Sequence, residues 1–165
     1  MISAARLLSL PLGQRAKPGS DKFDGLRFEQ EVGDFLPQPY RRGVWFGYRR
    51  GGGSSERKCQ IDFLLPYSDH LLLIECKRAW HRGVKQQIAL YRQVVEKATG
   101  KRTTAVIAVK YRPTERVDRL FTEYGDAVKE AGRFGWAVWC PDFEESDYRE
   151  VIARFPKIIA ALADN

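Results

Sequence analysis

The sequence predicts an α/β domain: one mixed sheet with helices on its faces. Three observations predict it. Short apolar runs alternate with stretches of helical periodicity in the order α-β-β-β-α-β-α-β-α. The first three apolar runs are separated only by short turn-forming segments, which makes them a meander. The run TTAVIAVKY at 103–111 is continuously apolar, as a buried strand is.

Each element has its own justification. Residues 21–36, DKFDGLRFEQEVGDFL, suit a helix with Asp21 as cap and Asp24 in the favourable first turn, ended by Pro37 and Pro39. Gly25, Glu29, Val32 and Leu36 fall on one line of that helix, flanked by Phe28 and Phe35. Glu29 therefore lies on the buried stripe, where a carboxylate needs a partner. GVWFGYRR at 43–50 reads as an aromatic-rich strand, and Gly51–Gly53 with two serines as its turn. RKCQIDFLLP at 57–66 and LLLIECK at 71–77 are the next two strands, joined by YSDH. Residues 84–98 form an amphipathic helix with Val84, Ile88, Tyr91, Val95 and Ala98 inward, stopped by Gly100. After the buried strand come a helix at 114–131, the strand WAVWC at 136–140 and a closing helix at 146–163.

The 165 residues suffice for one domain, taken as 21–165, preceded by a basic arm at 1–20 that either packs or touches a partner. The arm carries Arg6, Arg15 and Lys17 without an acid, a pattern with some likeness to an organellar presequence but without an apolar secretion core. No window has the apolar length of a membrane span, so no membrane partner is expected and a cytoplasmic setting is, or a nucleoid or host-cell cytoplasm. Three cysteines, Cys59, Cys76 and Cys140, form no CxxC pair and fall short of the four of an iron–sulfur site.

Net charge is +7, and residues 141–165 contribute −3 of it, so the first 140 carry +10. Residues 41–58 hold six basic residues against Glu56, and residues 77–102 hold eight against Glu96. Clustered positive charge suits a polyphosphate partner, through counterion release. Arg41, Arg42, Arg49 and Arg50 interleave with Trp45, Phe46 and Tyr48, as in surfaces that clamp a backbone and stack bases, although alternate aromatics in a strand also serve as core. Arg78, Arg82 and Lys85 follow in the second basic segment, with His81 beside them.

The chemistry centres on one hairpin. Pairing Pro66 with Leu71 places Asp62 directly opposite Glu75, with Lys77 on the same face and Cys76 on the other. Opposed carboxylates have Cβ atoms about 4.5–5.5 Å apart, an arrangement that destabilises a strand pair. A divalent cation explains it, because Mg2+ takes oxygen ligands and needs one or two carboxylates. Lys77 then stands where an ammonium can hold a water and offset charge growing on a phosphate.

With these residues in place, the chain resembles the PD-(D/E)XK nuclease superfamily, with its restriction-endonuclease-like αβββαβ core, over roughly residues 21–111. Asp62 followed by Glu75-Cys76-Lys77 matches the D…E-x-K signature. GLRFE at 25–29 and QIALY at 87–91 resemble the G-x-x-x-E and Q-x-x-x-Y motifs of its RecB-like branch. The resemblance implies a Mg2+- or Mn2+-dependent deoxyribonuclease with a C-terminal strand and helix added to the core. It implies Asp62, Glu75 and the carbonyl of Cys76 as metal ligands, and Glu29 for a second ion or a ligand water. Lys77 would position the nucleophile, Gln87 would support the site, and Tyr91 would lie at the nucleic-acid side or in the core. Ile61 replaces the superfamily's proline, and the iron–sulfur cysteines of some RecB-like members are absent. A Holliday-junction resolvase of the same superfamily, as a homodimer, and a non-catalytic nucleic-acid-binding subunit of a larger assembly remain open alternatives.

Overall fold

The computed structural model describes residues 1–10, 21–111, 113, 119, 122–126 and 136–139. They form an α/β fold around a six-stranded mixed sheet, in the order β1(Ile2–Leu8), α1(Asp21–Asp34), β2(Arg41–Arg50), β3(Arg57–Pro66), β4(His70–Ala79), α2(Val84–Thr99), β5(Arg102–Tyr111), β6(Trp136–Trp139). The strands lie side by side in sequence order, β1 to β4 antiparallel and β4 to β6 parallel. This is an αβ core of restriction-endonuclease type. Among the described residues no helix is long and apolar enough to cross a membrane.

β3 has its expected bounds, α1, α2 and β6 start where the sequence places them, and β2, β4 and β5 begin one or two residues earlier than expected. The difference is β1. Part of the expected basic arm, residues 2–8, packs as an edge strand against β2. Its burial pattern shows why the sequence hides it: only Ile2 is buried, so no apolar alternation announces a strand. Arg6 is held by Glu56 at 3.0 Å across the sheet edge. Residues 11–20, the closing helix at 146–163, Cys140, the capping side chain of Asp21 and most of the helix expected at 114–131 lie outside the described residues; Arg119 and residues 122–126 are helical.

β4 sits between β3 and β5 and is buried from His70 to Glu75. Its alternate residues supply two cores. Leu71 and Leu73 face α2, with Val84, Ile88, Val94, Val95 and Ile107. Leu72 and Ile74 face α1, with Phe28, Val32, Leu36 and Val106. The helices thus cover opposite faces, which is why β4 and β5 are apolar throughout rather than alternating. α2 ends at Gly100, whose φ of 72° allows its N–H to reach the Glu96 carbonyl at 2.9 Å.

The alternation slips in one place, and it slips in two strands together. Ile61 and Leu64 both belong to the α2-side core, whereas Phe63 and Leu65 belong to the other. In β2, Arg42 lies over the Phe63 ring on the α1 side, yet Val44 joins the α2-side core. The residue between them is Gly43, with φ 62°, and the ladder sets it across from Asp62, between the pairs Arg42↔Phe63 and Val44↔Ile61. A left-handed glycine therefore bends β2 beside the candidate catalytic aspartate. Gly43→Ala is expected to lower the unfolding free energy by about 1–2 kcal/mol, the cost of a left-handed L-residue, as read from the urea midpoint at unchanged slope.

Candidate active site

The β3–β4 ladder starts at Pro66↔Leu71, as the sequence register requires, and ends at Phe63↔Ile74. Asp62 and Glu75 are the first residues beyond its last rung. From there β3 continues only along β2, to Arg57, and β4 only along β5, to Ala79. The two strands fork at the two carboxylates. A fork leaves backbone groups without a ladder partner, and the Cys76 N–H donates instead to Asp62 Oδ2 at 2.7 Å. One carboxylate oxygen of Asp62 thus closes the fork and fixes the Glu75–Cys76 peptide.

Glu75 points toward α2. Its side chain is 5% exposed, and its Oε1 accepts from Lys77 Nζ at 2.5 Å. Its Oε2 is buried without a hydrogen-bond partner among the described residues. Its charge is felt on the α2 side, where it adds to burial in raising the Tyr91 hydroxyl and in pushing the Cys59 thiol up to about 12. On α2, Gln87 Nε2 donates to the Tyr91 hydroxyl at 2.7 Å, so the two residues of the Q-x-x-x-Y pair are joined one turn apart.

Glu29 comes from α1 on the other side. Its side chain is 15% exposed and accepts from Arg42 Nε at 2.9 Å. The partner that a carboxylate on a buried stripe needs is therefore an arginine of β2. Burial pushes the Asp62 carboxyl well above the usual carboxylate range, and the charges of Glu75 and Glu29 push it further, against the Cys76 N–H and Lys77. Burial raises Glu75 as well, Lys77 opposes the shift, and Glu29 adds to it. The Cys76 thiol rises through burial and the same three carboxylates. Asp62 and Glu75 thus both feel the charge of Glu29, with Lys77 opposing it, while Arg42 pairs with Glu29.

These residues suit a hard divalent cation in one respect and stop short in another. The donors are carboxylate oxygens, and Glu75 Oε2 is an orphaned buried acceptor that a cation would satisfy. Yet among the described residues no group of three His, Cys, Asp or Glu stands close enough to form a finished cage. Asp62 and Glu75 offer the one or two carboxylates that Mg2+ takes with water. Glu29 is turned to Arg42 instead.

The other expected residues spread outward. Arg41, Arg49, Arg50 and Arg82 are exposed, Lys85 is half-buried, and His81 binds the Arg82 carbonyl at 3.1 Å. Arg78 is tied down: its Nε donates to Asp24 at 3.1 Å, Lys110 reaches the same carboxylate at 2.5 Å, and the Arg78 guanidinium lies 5.8 Å from the Tyr111 ring centre. These partners hold the Asp24 carboxyl below its ordinary range, the Lys110 hydrogen bond most. Sequence reasoning gave Asp24 only a place in the first helical turn and missed that it moors α1 to the ends of β4 and β5. A lysine closing the apolar run of β5 was the available signal.

No known family profile matches the chain, and no curated protein does. Among solved structures it is similar to the Vibrio cholerae protein VC1899, at 18% identity and a TM-score of 0.49. The match covers 86% of this chain and 33% of that one, so the chain spans about a third of its length.

The raised carboxyl of Asp62 has a sign. A folded-state value above the unfolded one means the native state holds its proton more tightly, so metal-free stability falls as pH climbs above about 4, the unfolded carboxylate range. Asp62→Asn keeps an oxygen for the Cys76 N–H and removes the charge. In EDTA at pH 8 it is expected to be more stable than the wild type, with the gain shrinking toward pH 4 in urea titrations.

Proposed function

We propose that the chain is a metal-dependent nuclease that hydrolyses phosphodiester bonds in DNA. The observation that carries this reading is the fork. Two carboxylates on neighbouring strands, a half-buried Asp62 and a buried Glu75 with an orphaned oxygen, stand just past the last rung, and a lysine lies two residues along from Glu75. A structural ion pair explains Lys77 and Glu75 alone. It does not explain why Asp62 stands beside Glu75 at the end of the ladder with the charge of Glu29 acting on both.

Bound Mg2+ or Mn2+ would supply Lewis acidity, polarising a phosphoryl oxygen and making water acidic enough to attack at neutral pH. Asp62 Oδ1 and Glu75 Oε2 would hold the ion, with the Cys76 carbonyl, one peptide beyond the N–H that Asp62 fixes, as a further ligand. Lys77, 15% exposed, is the group that can reach from Glu75 to the attacking water or to the charge that grows on the phosphoryl oxygens. Gln87, anchored by Tyr91, can donate to a ligand water or a phosphate. Arg41, Arg49, Arg50 and Arg82 supply the salt-sensitive attraction to the backbone. The substrate places the protein with the cell's nucleic acid, in the cytoplasm or nucleoid.

In such a site most of the rate comes from positioning and electrostatics, so Glu75→Ala and Lys77→Ala are each expected to lower the cleavage rate by at least about 10²-fold while DNA binding persists. The assay is a panel of linear duplex, circular single strand, four-way junction and RNA, each with Mg2+ and with EDTA. Cutting by either variant at the wild-type rate would remove these residues from the site. Preference for the junction by a symmetric dimer selects the resolvase reading. Binding without cleavage on every substrate selects a non-catalytic subunit.

A further inference from the structure

Arg42 holds Glu29, and its geometry is that of a group waiting for an anion. Its Nε donates to Glu29 Oε1 at 2.9 Å, and its guanidinium lies 5.8 Å from the centre of the Phe63 ring. Phe63 is fully buried and braced edge-on by Tyr40 at 5.5 Å. The guanidinium plane is thus fixed by a ring and a carboxylate, yet only one of its nitrogens is used. Both Nη amines have no partner among the described residues, and the side chain is 36% exposed. The residue after it, Gly43, lies across from Asp62 at the fork. A planar, pre-oriented fork of N–H donors beside a hydrolytic centre suits a phosphate oxygen pair.

We propose that Arg42 is a substrate-operated latch on Glu29: the substrate's phosphate draws the guanidinium away, and Glu29 then turns to the metal centre. The proposal rests on the nuclease reading and extends it. Two features of the structure support it beyond the contact itself. First, the three carboxylates do not gather into a ligand cage among the described residues, and Glu29 is committed to Arg42 instead. Second, the charges close. Three carboxylates, Lys77 and Arg42, one divalent cation and one phosphodiester group sum to zero. Such a set stays in balance in a poorly solvated site only when the cations keep partners throughout. Partner exchange at Arg42 does this: its positive charge passes from Glu29 to the phosphate as the ion takes up Glu29. Nucleic acid and metal would then assist each other's binding by the same factor.

The latch predicts effects of opposite sign from one substitution. Removing Arg42 frees Glu29, so Mn2+ binding to the protein alone should tighten. It also removes a phosphate contact, so binding of a duplex oligodeoxynucleotide in EDTA should weaken. Isothermal titration of Arg42→Ala with Mn2+ is expected to give a dissociation constant roughly fivefold or more below the wild type. Oligonucleotide binding is expected to weaken by a similar factor, with a salt slope smaller by about one. Arg42→Met, which keeps an apolar cover on Phe63, should show the same pair of changes and reads the proposal if the alanine variant does not fold. A merely structural tie between α1 and β2 would loosen Glu29 and move both affinities the same way, or neither. Either result overturns the latch. Wild-type protein that binds DNA and Mn2+ keeps the nuclease reading intact whichever way the latch is decided; wild-type protein that binds neither ends both.

Discussion

The parting of β3 from β4 is the constraint on which the rest depends. A sheet is stabilised rung by rung, and a rung left unmade strands donors and acceptors that must be satisfied elsewhere. Here the ladder stops at Phe63↔Ile74, and the next N–H on β4 that needs an acceptor, that of Cys76, finds the side chain of Asp62. The carboxylate therefore has two duties. It replaces a backbone acceptor at the fork, which fixes its own orientation, and it brings a charge into a place that solvates charge poorly. Gly43 makes this possible from the other side, since its left-handed backbone lets β2 follow β3 through the slip in alternation without breaking their ladder.

Once Asp62 is fixed there, the surrounding charges follow. A carboxylate beside Glu75, with Glu29 in range, cannot remain ionised among like charges without cations close by. Lys77 comes from the same strand as Glu75, and Arg42 from the strand that also carries Gly43. Even so, burial outweighs these partners, and Asp62 and Glu75 are both held above their ordinary range. The site is under electrostatic tension, which the two apolar cores on either side of β4 must offset. That is a common pattern where a binding or catalytic site is maintained at the expense of stability. Glu75 Oε2, buried and unsatisfied, is the sharpest sign of it.

The predicted sheet, the meander, the boundaries of β3 and the Pro66↔Leu71 register were legible because each rests on local pattern: alternation, turn residues and period. Register brought Asp62 and Glu75 to neighbouring places, but the ladder stops one rung short of the direct pairing that the sequence predicts. What was not legible depends on which side chain crosses between elements. No periodicity ties Arg42 to Glu29, or Asp24 to Arg78 and Lys110, since these contacts join β2, β4 and β5 to a helix that comes earlier in the chain. β1 escaped for a different reason. An edge strand with one buried residue is held by its backbone and by the Arg6–Glu56 pair, and neither leaves an apolar signature. The fork itself was invisible, because the sequence of a strand does not say where its neighbour leaves it.

The two helices explain why so many elements meet at one point. α1 brings Glu29 from one face of the sheet, and α2 brings Gln87 and Tyr91 from the other. Side chains from opposite faces are ordinarily separated by the sheet. The fork is the interruption through which they can act on the same ligand. Asp24 holds the start of α1 to the ends of β4 and β5, and Gln87 and Tyr91 lie within two turns of the start of α2, so both approaches are made from well-anchored helical segments. A site at the fork gains from this in two ways. The groups arrive on rigid elements, which limits the cost of ordering them. The β3–β4 ladder has already stopped there, so a group entering between the two strands breaks no rung.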